Sequence, residues 1–169
     1  MKINIYVVIY LIAIVSANLI VNYFGPSAAI YCAFLFIGLD LSLRDHIHDK
    51  WQGDFSKLWG LISAGSLITI AINIEAIEIA IASAVAFSAA FAADSLLYQL
   101  LRKHNYLFKC NISNVAGSAA DSFIFPIMAF GYFPGIHWII LGQFAAKILG
   151  GLIFSFIIYK WIKQRTGIS

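Results

Sequence analysis

Apolar residues fall in six long runs, at about residues 3–24, 27–44, 57–74, 76–101, 112–131 and 137–162, separated by stretches that gather Gly, Pro, Asn and charge. A helix needs about 20 residues to cross a hydrocarbon core of about 30 Å, so each run predicts one membrane-spanning helix. Gly25-Pro26 breaks the first pair and sets proline at a helix start, while Asn73 to Glu75 and Gly131 to Gly135 predict two more tight turns. Turns this short make the helices they join antiparallel neighbours. No internal repeat or low-complexity tract is visible, which argues against the larger inverted-repeat transporters.

Charge then orients the runs. Lys2, then Arg44, Lys50 and Lys57, then Arg102, Lys103 and Lys109, then Lys160, Lys163 and Arg165 occupy alternate ends and loops, and the loops between carry no Lys or Arg. The positive-inside rule places both termini in the cytoplasm, which requires an even number of helices. With 62% hydrophobic and 11% charged residues and a mean hydropathy of +0.87, residues 1–169 read as one all-α integral domain of six helices. The expected location is the inner (plasma) membrane. The formal charge of +3 sits where orientation signals belong, so it gives no reason to expect a nucleic-acid partner. The first run is longer than a signal-peptide core and no small-x-small site follows it, so it is expected to remain as the first span. Cys32 and Cys110 form no Cys-x-x-Cys pair and are read as free thiols.

Polar residues inside the apolar runs carry the candidate chemistry. Asn111, Asn114, Ser118 and Asp121 follow an i, i+3, i+7, i+10 spacing and share one face of the fifth helix. A carboxylate at mid-membrane costs about 2.5–3.5 kcal/mol on insertion scales, so such a stripe is expected to face a polar cavity. Lys147 is the one basic residue set inside a run. Counting 1.5 Å per residue from His137 puts it about 15 Å deep, near the depth of Asp121 on the antiparallel fifth helix. Gln143 shares its face; Phe91, Asp94, Tyr98 and Arg102 form a further stripe on the fourth helix, and Asn18 and Asn22 one on the first. Two readings stand: a hydrated central pocket, or an Asp121–Lys147 pair that merely ties two helices together.

Other features carry less. Small residues at four-residue intervals, Ala13 and Ala17, Ala82, Ala86 and Ala90, and Gly142, Ala146 and Gly150, suit close helix packing or a face for a partner membrane subunit. Glu75 and Glu78 at the start of the fourth helix either complement its dipole or form an acidic outer mouth. Asp40, Arg44, Asp45, His46, His48 and Asp49 mix signs without zinc-site spacing, so no metal is expected. The chain lacks Gly-x-Ser-x-Gly, His-Glu-x-x-His and a phosphate loop, and no catalytic role or cofactor is expected.

Three ordered segments carry a resemblance. Ala93-Asp94-Ser95-Leu96-Leu97-Tyr98-Gln99-Leu100-Leu101-Arg102, then Ser113-Asn114-Val115-Ala116-Gly117-Ser118-Ala119-Ala120-Asp121-Ser122, then Ala129-Phe130-Gly131, with Lys147 beyond, resemble the vitamin uptake transporter family, also called the queuosine precursor transporter family. Leu41-Ser42-Leu43-Arg44-Asp45 departs from the acid and glycine that longer members carry there, so the chain resembles a short branch.

The resemblance implies a fold similar to the substrate-binding subunits of energy-coupling factor transporters. It also implies uptake of 7-cyano-7-deazaguanine or 7-aminomethyl-7-deazaguanine, precursors salvaged for the tRNA nucleoside queuosine. On that basis Asp121 is expected to accept the donor edge of the deazapurine, with Asn114, Gln143 and Lys147 on its carbonyl edge and Ser118 and Asn18 nearby. One of Phe91, Phe123 or Trp138 would stack on the ring, and Asp94, Tyr98 and Arg102 would form an inner gate. Glu75 and Glu78 favour the cationic aminomethyl compound. A vitamin-binding subunit that needs a separate energising membrane partner is the alternative, and a homo-oligomer is equally compatible.

Overall fold

The computed structural model of the protein describes residues 5–37, 39, 55–101, 103, 104 and 106–166. Arg102, the cluster from Asp40 to Asp49, and the side chains of Tyr98 and Asn111 lie outside this description. Among the described residues the chain is all-helical. The helices are α1 (Ile5–Phe24), α2 (Pro26–Ile37), α3 (Phe55–Ile72), α4 (Ile77–Leu100), α5 (Tyr106–Phe130) and α6 (Ile136–Thr166). A 3-10 turn, Ile74–Ala76, leads into α4.

Local chemistry explains the breaks. Gly25 at φ 76° and Gly131 at φ 67° end α1 and α5 at a positive φ that favours glycine, and their amides donate to Val21 and Ile127 carbonyls at 2.9 and 3.0 Å. Pro26 then opens α2, where its missing N–H is no loss. Asn73 closes α3 and starts the next turn by accepting from the Glu75 amide at 3.0 Å. Two departures from the apolar runs stand out. α5 starts at Tyr106 rather than at residue 112, because hydropathy marks the length that suits lipid and the backbone ladder continues through polar residues beyond it. α2 is α-helical only to Cys32 and continues as a wider π turn over Ala33–Ile37.

The six helices close into a ring: α1 lies beside α2 and α3, α3 beside α4, α4 beside α5, α5 beside α6, and α6 returns to α2. Glycine permits the closest approaches. A Cβ on Gly117 of α5 would stand 3.0 Å from the Ala90 carbonyl of α4, and one on Gly65 of α3 would stand 3.1 Å from Ile14 of α1. Gly142 of α6 faces Ile30 of α2 at 2.7 Å in the same sense. Ala13, Ala17, Ala82, Ala86, Ala90 and Ala146 are buried within the bundle, so these small residues seat the protein's own helices against one another.

The outer surface is apolar. Ile12, Leu67, Ile81, Leu149 and Phe156 are exposed, and Tyr23, Phe24, Tyr132 and Trp138 are exposed around the Gly25 and Gly131–Gly135 turns, like an aromatic belt at a membrane boundary. Helical segments Ile5–Phe24, Ile74–Leu97 and Ile136–Phe154 are long and apolar enough to cross a membrane. Among the described residues α5 does not join them, because the polar stripe that marks it also lowers its hydropathy.

Candidate functional site: a buried acid–base pair in a central cavity

Two core clusters follow each other along α1. Tyr6, Tyr10 and Ile14 meet Leu61, Ile62 and Phe87, and one turn further Ala17 and Val21 meet Ala29, Cys32 and Ile79. The cavity opens beside the second cluster. It is small, about 30 Å³, and five of the six helices contribute to its walls. Asn18 comes from α1, Cys32 and Ile37 from α2, Ser83 and Phe87 from α4, Asp121 and Phe125 from α5, and Gln143 and Lys147 from α6. Helix α3 adds no described wall residue and supports the site from behind: Asn18 Nδ2 donates to Thr69 Oγ1 at 3.4 Å, and Thr69 Oγ1 donates to the Gly65 carbonyl at 2.9 Å.

Charge is concentrated at one point. Lys147 Nζ lies 2.6 Å from Asp121 Oδ2, with the two side chains only 2% and 7% exposed. Lys147 also donates to Gln143 Oε1 at 3.3 Å, which the four-residue spacing on α6 makes possible. Desolvating an acid and a base costs several kcal/mol each, and only close pairing with further hydrogen bonds offsets it. The neighbouring Gln143 Nε2 is buried and makes no hydrogen bond. A buried amide donor without an acceptor costs about 1–3 kcal/mol, and Gln143 is among the residues that line the cavity.

Asp121, Gln143, Lys147 and Asn18 thus line one cavity, and the other described candidates do not line it. Ser118 is buried and Asn114 half-buried, but neither is among the wall residues. Phe91 is half-buried one turn along α4 from Phe87, which takes the cavity position. The stacking residues require correction: Phe123 and Trp138 are 58% and 68% exposed and lie off the cavity. At 100° per residue, Phe123 lies about 200° from Asp121, and Trp138 about 180° from Lys147. Phe125, four residues beyond Asp121, returns to within about 40° of it and is the aromatic that the spacing should have selected.

Asp94 lies against Gly117, whose added Cβ would come 3.4 Å from the Asp94 Cβ, and its Oδ1 is buried without a hydrogen bond. It does not line the cavity described above. Glu75 and Glu78 are exposed. Among the described residues no group of three His, Cys, Asp or Glu side chains could hold a metal ion.

Among the described residues, an all-helical bundle with apolar side chains outside and a buried acid–base pair within has the architecture of a membrane protein. Its sequence narrows that class. A family model described as putative vitamin uptake transporter matches residues 5–161, almost the whole chain, and the chain belongs to that family. No curated protein and no solved structure gave a match.

Proposed function

We propose that the protein imports queuosine precursors, 7-cyano-7-deazaguanine or 7-aminomethyl-7-deazaguanine, across the inner (plasma) membrane with both termini in the cytoplasm. The observation that carries the reading is the cavity trio: Asp121 and Lys147 paired at 2.6 Å beside a Gln143 amide donor with no partner. A deazaguanine edge offers adjacent N–H donors next to a carbonyl acceptor. Asp121 accepts the donors through the oxygen that Lys147 leaves open, and Gln143 Nε2 meets the carbonyl. Phe87 and Phe125 supply the aromatic surface for the ring. In this reading Asp94, with Tyr98 and Arg102, gates the inner side, and the bundle resembles the substrate-binding subunits of energy-coupling factor transporters.

The test is uptake of labelled precursor by cells that cannot synthesise it. Asp121→Asn removes the charge and replaces one of the two acceptor oxygens with an NH2 donor that opposes a donor edge, so uptake should fall at least about ten-fold while folded protein remains in the membrane. Uptake equal to the parent's would reject the site. Asp94→Asn should lower the transport rate more than equilibrium binding; equal losses in both would remove the gate.

A further inference from the structure

Helix α5 carries Pro126 inside its hydrogen-bond ladder. Proline has no amide hydrogen, so the Ser122 carbonyl four residues back loses its intrahelical donor, and the ring presses against that carbonyl. Both residues are fully buried, and among the described residues Ser122 Oγ makes no hydrogen bond either, so α5 is weakly tied at this level. Before the proline the helix is clamped: a Cβ on Gly117 would stand 3.0 Å from the Ala90 carbonyl of α4. The nine residues from Gly117 to Pro126 amount to half a turn at about 100° each, which sets the proline on the flank away from that contact. Beyond it, Gly131 at φ 67° and Gly135 at φ 95° give the backbone a second point of bending.

The turn between these two points rests on the cavity wall. Ala129 and Phe130 pack with Phe125 on the cluster of Ala17, Val21, Ala29, Cys32 and Ile79, and Ala17, Val21, Ala29 and Cys32 also line the cavity. Phe130 meets Phe125, itself a wall residue, edge to face with ring centroids 6.0 Å apart. Contacts of this kind part without stranding a charge. The cavity also lies nearest this end of the bundle. Val21, Ala29, Phe125 and Gln143 are three to seven residues from the helix ends at Gly25, Gly131 and Gly135, about 5–10 Å along the axes. From the opposite ends, Val21 and Phe125 are about 24–29 Å away.

We infer that residues 127–130 form a lid over the cavity, hinged at Pro126 and Gly131, and that a solute enters past it. In the orientation proposed above, this is the outer side. The role as an entrance rests on the solute-site reading; the hinge does not.

Cys32 reports on the lid because it lines the cavity and is buried. Methyl methanethiosulfonate, a small neutral reagent, labels thiols of the purified full chain in nanodiscs, and peptide mass spectrometry separates Cys32 from Cys110. Pro126→Ala restores the missing amide donor and should slow labelling of Cys32 at least about ten-fold. Phe130→Ala removes the ring that holds the lid down and should speed it by a similar factor. Cys110, which precedes the hinge on α5, should keep its rate in both. Folded Pro126→Ala that does not slow Cys32, or Phe130→Ala that does not speed it, overturns the inference, and Phe130→Ala decides alone if the other variant does not fold. A change that Cys110 shares also overturns it, because the whole bundle is then opening. Labelled deazaguanine precursor should bind to and leave Pro126→Ala more slowly at nearly unchanged affinity, and exchange at the parent's rate overturns the entrance. A lid that governs Cys32 in a protein that binds neither precursor stands, and the queuosine reading falls.

Discussion

Lys147→Met tests whether the central pair holds the bundle together or only decorates a cavity. The substitution keeps an unbranched apolar stem and removes Nζ, which lies 2.6 Å from Asp121 Oδ2 and 3.3 Å from Gln143 Oε1. At an effective dielectric constant near 20, two unit charges at that separation attract by about 6 kcal/mol, before the desolvation of both ions is subtracted. The measurable loss is smaller than that attraction would suggest and has a different origin. Removing one partner strands the other charge, which typically destabilises by about 3–5 kcal/mol. For a chain of this size that corresponds to a fall in melting temperature on the order of 10 °C, read in nanodiscs by intrinsic fluorescence. The double variant Asp121→Asn with Lys147→Met removes both charges and should recover at least half of the loss, although it abolishes the proposed binding. A single variant that melts with the parent, or a double variant no more stable than the single, would refute the idea that the two charges depend on each other.

Four further outcomes are expected. Gly117→Val should lower stability by about 1–3 kcal/mol, because its Cβ meets the Ala90 backbone carbonyl, which has nowhere to go; chemical or thermal melting reads this. Gly142→Ala should be milder even though its contact is nominally closer, since the obstruction is the flexible end of Ile30, and the same melting experiment ranks the two. Thr69→Ala should lower stability by about 0.5–1.5 kcal/mol by removing the acceptor of the buried Asn18 amide, and a double-mutant cycle with Asn18→Ala should show coupling between the two. Phe125→Ala and Phe87→Ala should each weaken solute binding about ten-fold, whereas Phe123→Ala and Trp138→Ala should leave it unchanged; titration calorimetry separates the pairs.

The parts of the fold that depend on local pattern were legible in the sequence. The six helices follow from apolar length and turn residues, and Asp121 and Lys147 stood out because charge inside an apolar run has few inexpensive placements. What the pattern could not give was the order of helices around the ring, since α2 meeting α6 depends on packing between the two ends of the sequence. The aromatic choices failed for a simpler reason. Phe123 and Trp138 have the right chemistry for stacking, and helical phase turns both outward. Phe87, Ser83 and Cys32 carry no charge or unusual spacing and look like ordinary core residues until the ring closes around them.

The α5–α6 connection has a bearing on how the protein is made. Asp121 and Lys147 sit on successive helices joined by the short turn from Gly131 to Gly135. Inserted separately, each helix would carry an uncompensated charge, at a cost of about 2.5–3.5 kcal/mol apiece on insertion scales. Entering together as a hairpin, the two charges neutralise one another on the way in. The last two helices thus form a unit of biogenesis, and a chain truncated after Phe130 would leave Asp121 without its lysine and expose it to membrane quality control.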